Sequence, residues 1–330
     1  MFRRSLIAVA LTALVTACNG GSASPPPFVS GVAATPTPTP SPTPTPVPQH
    51  LYVGNDNTPG SVLQFNLPLT ASSTPNFAIA SNNVVAVAVD ANGNLAVGDN
   101  AGNLQFFGAP LSGASTAAAA FKNGSATNNG QIAFTGTNDF WVSTVSNRAN
   151  AFTQPFTNTS TPSAFVTNAA LGSAIGTAFD AAQNLYISNA GVGTAATCSG
   201  GAGMCSNLLV YAPPYTGAPI VSTNVASTAY RKITVSATQL FAASVSGSPG
   251  RVDVYNLPIT AASVPAFAIG SGVNTPEGLA LDAAGRLYVG NLSDATVSVY
   301  NPPFSSGSVP SLTFKVSTGA FAIFGIAVGK

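Results

Sequence analysis

The chain has 330 residues, with 10 Lys and Arg against 9 Asp and Glu, a single His and a charged fraction of 6%, while 45% of its residues are hydrophobic. A near-neutral chain without a basic run excludes nucleic acid as a partner and gives no basis for electrostatic membrane attachment. With His50 as the only histidine, a Ser-His-Asp catalytic set is excluded as well.

From the N-terminus, Met1 to Ala17 carries Arg3 and Arg4, an apolar run from Leu6 to Val15 and then small residues, the order of a secretion signal that is removed from the mature protein. The run is too short to span a bilayer, and nothing later approaches about twenty apolar residues. Loss of Arg3 and Arg4 with the signal leaves eight basic against nine acidic side chains. Val15-Thr16-Ala17-Cys18 resembles a bacterial lipobox. The resemblance implies that Cys18 is lipidated and becomes the new N-terminus, so the protein meets the membrane of a bacterial cell envelope through a lipid anchor on the extracytoplasmic side. Asn19 in place of Asp after the cysteine implies the outer membrane if the envelope is Gram-negative. The alternative is an ordinary signal peptide with an incidental cysteine.

Residues 18–49 form a linker ahead of a folded region at 50–330. From Ser24 to Gln49 proline is abundant, and Thr35 to Pro48 is an almost strict Thr-Pro or Ser-Pro alternation. Proline at every second position forbids helix and favours polyproline II, a semi-rigid spacer that reaches about 3 Å per residue.

The folded region is an internal repeat. An aromatic residue followed three positions later by proline recurs as Phe65-Asn-Leu-Pro68, Phe107-Gly-Ala-Pro110, Phe152-Thr-Gln-Pro155, Tyr211-Ala-Pro-Pro214, Tyr255-Asn-Leu-Pro258 and Tyr300-Asn-Pro-Pro303. The mean spacing of about 47 residues is that of blade-like units. Upstream of each lies a short apolar segment, as in Leu51-Tyr-Val-Gly-Asn55, Leu95-Ala-Val-Gly-Asp99 and Leu287-Tyr-Val-Gly-Asn291. Downstream lies another, as in Pro75-Asn-Phe-Ala-Ile79 and Pro265-Ala-Phe-Ala-Ile269. A fourth segment ends three times in an aspartate before a turn: Ala86-Val-Ala-Val-Asp90, Gly176-Thr-Ala-Phe-Asp180 and Gly278-Leu-Ala-Leu-Asp282. Asp can bond its own backbone and Gly supplies positive φ, so tight hairpins are expected there.

Six units of four short strands, with no helical period after the signal, predict an all-β fold: a six-bladed β-propeller of four-stranded blades. The region opens on the second strand of a unit at Leu51 and closes on a first strand at Gly325 to Val328. The C-terminal strand is therefore expected to complete the N-terminal blade and remove an open edge.

The order Pro276-Glu-Gly-Leu-Ala-Leu-Asp282, turn, Leu287-Tyr-Val-Gly-Asn291, loop, Val297-Ser-Val-Tyr300 resembles the repeat of NHL-type propellers and their lactonase-like relatives. In such propellers the second-to-third strand loops and the blade-to-blade connections share one face, where ligand sites lie. By that resemblance the loop from Cys198 to Cys205 and the loops at Asn55 to Gly60, Ser246 to Gly250 and Asn291 to Asp294 gather there. The six inner strands begin at the same face with Phe324, Val85, Gly130, Ile175, Arg231 and Glu277, of which only Arg231 and Glu277 ionise.

Glu277-Gly278 is similar to the start of the inner strand in SMP-30 and gluconolactonase-like enzymes, where such a glutamate binds a divalent metal. The Asn and Asp ligands those enzymes add are replaced here by apolar residues or glycine, and one carboxylate does not hold a hard cation alone. Neither a metal nor another cofactor is expected, and the competing reading pairs Glu277 with Arg231 across the ring mouth.

Cys198 and Cys205 flank a glycine-rich hexapeptide, inserted between the second and third strands of the fourth unit. Outside the cytoplasm such a pair most simply forms a loop-pinning disulfide. The sequence thus favours binding over catalysis: a lipid-anchored extracytoplasmic scaffold whose face takes a protein, small-molecule or glycan ligand through Glu277 and Arg231. A metal-dependent lactonase-like hydrolase using Glu277 is the alternative, and a structural envelope protein is the third.

Overall fold

A computed structural model describes residues 48–125, 128–167, 171–192, 205–223, 229–245, 249–316 and 322–330. The chain divides into residues 1–45 and a compact unit, residues 46–330, to which all of these belong. Every regular element among the described residues is a β-strand.

The strands form six antiparallel four-stranded sheets, each ordered from the ring axis outward. Blade 1 holds β1 (His50–Asn55), β2 (Ser61–Asn66) and β3 (Phe77–Ala80); blade 2 holds β4 (Val84–Val89), β5 (Leu95–Asp99), β6 (Asn103–Phe107) and β7 (Ala119–Lys122). Blade 3 holds β8 (Ile132–Phe134), β9 (Phe140–Ser146), β10 (Arg148–Phe152) and β11 (Ala164–Thr167). Blade 4 holds β12 (Ser173–Phe179), β13 (Leu185–Val192), β14 (Cys205–Tyr211) and β15 (Val221–Ser222). Blade 5 holds β16 (Tyr230–Val235), β17 (Gln239–Ser244), β18 (Arg251–Asn256) and β19 (Phe267–Ile269). Blade 6 holds β20 (Pro276–Leu281), β21 (Leu287–Asn291), β22 (Thr296–Tyr300) and β23 (Leu312–Lys315), after which β24 (Ile323–Gly329) returns to blade 1.

The ring closes as the repeat phase requires. β24 pairs with β1 from His50↔Gly329 to Gly54↔Gly325, and the Tyr52 hydroxyl donates to the Lys330 carbonyl at 2.9 Å. The core is distributed as six clusters, one at each junction between neighbouring blades. Leu51, Val53 and Phe65 of blade 1 pack on Tyr288, Val297 and Val299 of blade 6, whereas Tyr52 and Val62 face Val97 and Phe107 of blade 2. Successive residues of a strand point to opposite faces, and here both faces are buried between blades. Central strands therefore read as nearly continuous apolar runs, as for any sheet covered on both sides.

The aromatic of each repeat is the last or next-to-last residue of the third strand, where Phe65, Phe107, Phe152, Tyr211, Tyr255 and Tyr300 are all buried. The proline three residues later follows a cis peptide bond in all six copies. The chain then turns back to the outer strand. In five copies a serine hydroxyl caps that turn, accepting from the amide three residues earlier: Ser73 from Thr70, Ser115 from Ser112, Ser160 from Thr157, Ser263 from Thr260 and Ser308 from Ser305, at 2.8 to 2.9 Å.

The three repeated aspartates do what their turns predict. Asp90 Oδ1 accepts from the amides of Asn92 and Asn94, both at 2.8 Å, and Asp282 Oδ1 accepts from Ala284 and Arg286 at 2.9 and 2.8 Å. Asp180 Oδ1 accepts from the Asn184 amide at 2.8 Å. The second oxygen is used too: Tyr186 donates to Asp180 at 3.1 Å and Tyr288 to Asp282 at 3.0 Å, tying each hairpin to the strand after it.

Candidate functional site at the channel mouth

The six inner-strand starts singled out in the sequence converge. Phe324, Val85, Gly130, Ile175, Arg231 and Glu277 line one cavity of about 160 Å³ at the mouth of the ring, with Lys232, Asn128, Asn129 and Val145 completing its wall. Arg231 Nε lies 3.2 Å from Glu277 Oε1. Glu277 is almost fully buried, whereas the Arg231 side chain is 38% exposed. Burial pushes the Glu277 carboxyl above the usual carboxylate range, and the charges of Arg231 and Lys232 oppose that rise.

One residue further along the inner strands the channel is shut. Lys232 projects from β16 across the axis and donates to the carbonyls of Val85, at 3.0 Å, and Gly130. Gln131 crosses in the other sense: its Nε2 donates to Ile233 O at 2.8 Å, and its Oε1 accepts from the amides of Thr177 and Ile233 at 3.1 and 3.0 Å. These two side chains join the inner strands of blades 2 to 5. Close approach of the strands requires a residue without a side chain at Gly176, where a Cβ would lie 2.6 Å from Ser188 Oγ and 2.7 Å from Arg231 O. Beside Lys232 a small pocket of about 10 Å³ lies among Val87, Gly278, Leu279 and Ile326.

Lys232 is 5% exposed. Burial pulls its ammonium down to about 8 from 10.5, with Arg231 acting in the same direction and Glu277 and Asp56 against it. None of the three ion pairs among the described residues includes Lys232. Sequence reasoning missed both Lys232 and Gln131. The signal was present one register position beyond the strand starts, where the other four units carry Gly325, Ala86, Gly176 and Gly278.

The surroundings of Glu277 do not suit a divalent metal. Its carboxylate is engaged by a guanidinium and faces a second cation. No group of three or more His, Cys, Asp or Glu side chains able to hold a metal occurs among the described residues. The residues at the ends of the second strands organise loops instead. Asn55 accepts from the Ala322 amide at 3.2 Å, Asp99 from Ala101 and Asn103 at 2.9 and 2.7 Å, and Asn291 from Asn274 at 2.9 Å. Asn189 accepts from Gly172 at 2.8 Å.

Cys205 opens β14 and is fully buried; its expected partner Cys198 lies outside the described residues, as do Cys18 and residues 246–248. A larger groove of about 500 Å³ runs along blade 2, lined by Asp99, Asn103, Gln105, Phe121 and Lys122. Its polar groups are largely bonded to one another or to backbone: Ser81 donates to Gln105 at 2.7 Å, and Asn103 donates to Asp99.

Six four-stranded blades around a closed axis define a six-bladed β-propeller. No family model matches the sequence, and no curated protein matches it. Solved structures share the fold. A chain of the crystal structure of a nidogen/laminin complex superposes with a TM-score of 0.58 at 14% identity, covering 86% of this chain and 98% of that one. A protein from Lactobacillus plantarum superposes with a TM-score of 0.57 at 12% identity, covering 86% of this chain and all of the other. At such identities the likeness concerns architecture.

Proposed function

We propose that the protein is a ligand-binding propeller whose seat is the channel mouth, and that the seat takes a small molecule bearing a carboxylate. The observation that carries this reading is an imbalance of charge. Two cationic side chains, Arg231 and Lys232, meet in one closed-bottomed cavity whose wall holds a single carboxylate, Glu277. An anion entering there meets a guanidinium with donors in a planar fork, suited to a carboxylate. Val85, Ile175 and Phe324 offer an apolar wall to the rest of the molecule.

The NHL-like order of segments around Glu277 and the lipobox-like Val15 to Cys18 support placing this seat on a lipid-anchored, extracytoplasmic member of the NHL/SMP-30-like propellers. Burial of Cys205 at the start of β14 supports a Cys198–Cys205 disulfide in the loop beside it. The reading is tested by titrating the protein with acetate and lactate, and with glucose as a neutral control, by calorimetry. Both acids are expected to bind, glucose is not, and Arg231→Gln is expected to weaken the acids about tenfold, about 1.4 kcal/mol. Equal binding by the variant, or none by the wild type, overturns it.

A further inference from the structure

We infer that the floor of the same cavity is a covalent site: the Lys232 amine forms a reversible imine with the carbonyl carbon of a small 2-oxo acid whose carboxylate is held by Arg231. This rests on the carboxylate-seat reading and adds to it a reacting atom.

Valence at the nitrogen carries the argument. Two backbone carbonyls, Val85 O and Gly130 O, each accept from Nζ. Once the ammonium has given up a proton, the neutral amine keeps two N–H groups, so both carbonyls stay satisfied and a lone pair is left over. Nζ belongs to a side chain that lines the cavity, is almost wholly shielded from water and lacks an ion pair with any carboxylate among the described residues. Glu277, the acid beside it, is taken by Arg231. The groups facing the amine are thus Arg231, Glu277 and, further out, Asp56, and with burial their balance draws the ammonium down to about 8. Desolvated lysines next to another cation are the usual amine nucleophiles for carbonyl compounds.

The step balances without any further reagent. The Nζ lone pair adds to the carbonyl carbon, a proton passes from nitrogen to the carbonyl oxygen, and the carbinolamine loses water to give the imine. Protonated, the imine carries the charge the ammonium carried and keeps one N–H for one of the two carbonyls. Hydrolysis reverses every step.

The test uses the full chain with glyoxylate as probe and sodium cyanoborohydride as the hydride donor that reduces any imine to a secondary amine. Peptide mapping by mass spectrometry is expected to find carboxymethylation at Lys232 ahead of the other three lysines, Lys122, Lys315 and Lys330. The initial rate should increase about tenfold from pH 7 to pH 9, and acetate should compete. Lys232→Arg keeps a cation and donors and should carry no label at that position. If that variant does not fold, the map of the wild type decides alone. Labelling of Lys122, Lys315 and Lys330 with Lys232 untouched overturns the inference, and if acetate still binds, the carboxylate seat survives it. Labelling at Lys232 without acetate binding or competition would instead retain the reactive amine and overturn the seat.

Discussion

Lys232 concentrates the electrostatics of the molecule in one side chain, and its stability consequence has a definite sign. The folded amine titrates near 8 and the unfolded one near 10.5, so between those values the unfolded chain binds more protons and stability rises with pH. Below pH 8 the cost of the buried charge is fully present; above 10.5 it is gone. All eight tyrosines act in the opposite direction. Burial raises each of them, so their contribution is complete below pH 10 and is lost as pH climbs through the folded values. The amine therefore governs only the lower part of the range. Between pH 7 and 9 the unfolding free energy from urea titrations should rise by about 1 kcal/mol from this group, and Lys232→Met should remove that rise. A parallel pH profile in the variant would show that the amine titrates as in water.

At the scale of elements, the hairpin aspartates are the local features on which the blades turn. Asp282 satisfies two backbone amides, accepts from the buried Tyr288 hydroxyl and pairs with Arg286 Nε at 2.5 Å. Asp282→Ala leaves a buried phenol and two turn amides without that acceptor, and should cost about 2–3 kcal/mol in denaturant unfolding. Asp90→Ala, which lacks a tyrosine partner in its turn, should cost about 1–2 kcal/mol; equal losses would assign the extra bond at Asp282 no weight.

These aspartates also mark the limit of what the sequence could disclose. A turn is written in adjacent residues, so Asp90, Asp180 and Asp282, the six aromatic-x-x-Pro copies and the phase of the seam were all legible. So was the first ring of the mouth, because Arg231 and Glu277 stand where the repeat places a strand start. The closing of the channel was not. Lys232 reaches Val85 147 residues away and Gln131 reaches Ile233 across 102. A repeat aligned on strand ends records neither bond, since both depend on how far six strands approach the axis. The serine-capped turns were legible but unread: their Thr-x-x-Ser or Ser-x-x-Ser spacing stands beside the prolines in five units.

At the scale of the whole molecule the ring depends on one long-range pairing. β24 supplies the innermost strand of blade 1, and its Ile323 and Ile326 belong to the cluster between blades 1 and 6 while Ala327 belongs to that between blades 1 and 2. A chain ending at residue 321 would leave β1 as a naked edge and open both clusters to water, with each large aliphatic side chain lost from them worth about 2–3 kcal/mol. Such a chain should lose cooperative unfolding by calorimetry; a truncated form that melts as one transition near the wild-type temperature would mean that five blades and a three-stranded remnant suffice.

Attachment, as proposed, would be a separate property, resting on Cys18 rather than on the ring. One acyl chain gives only marginal membrane binding, whereas two or more hold a protein stably, so a diacylglyceryl cysteine would decide where the whole molecule resides. Expressed in a Gram-negative host, the wild type should take up labelled fatty acid and sediment with membranes. Cys18→Ser should abolish the label and, provided export continues, move the protein to the soluble periplasmic fraction with its thermal unfolding unchanged. Membrane recovery of the variant equal to that of the wild type would refute the lipid anchor, and loss of the propeller's unfolding transition would refute the separation of anchor from fold.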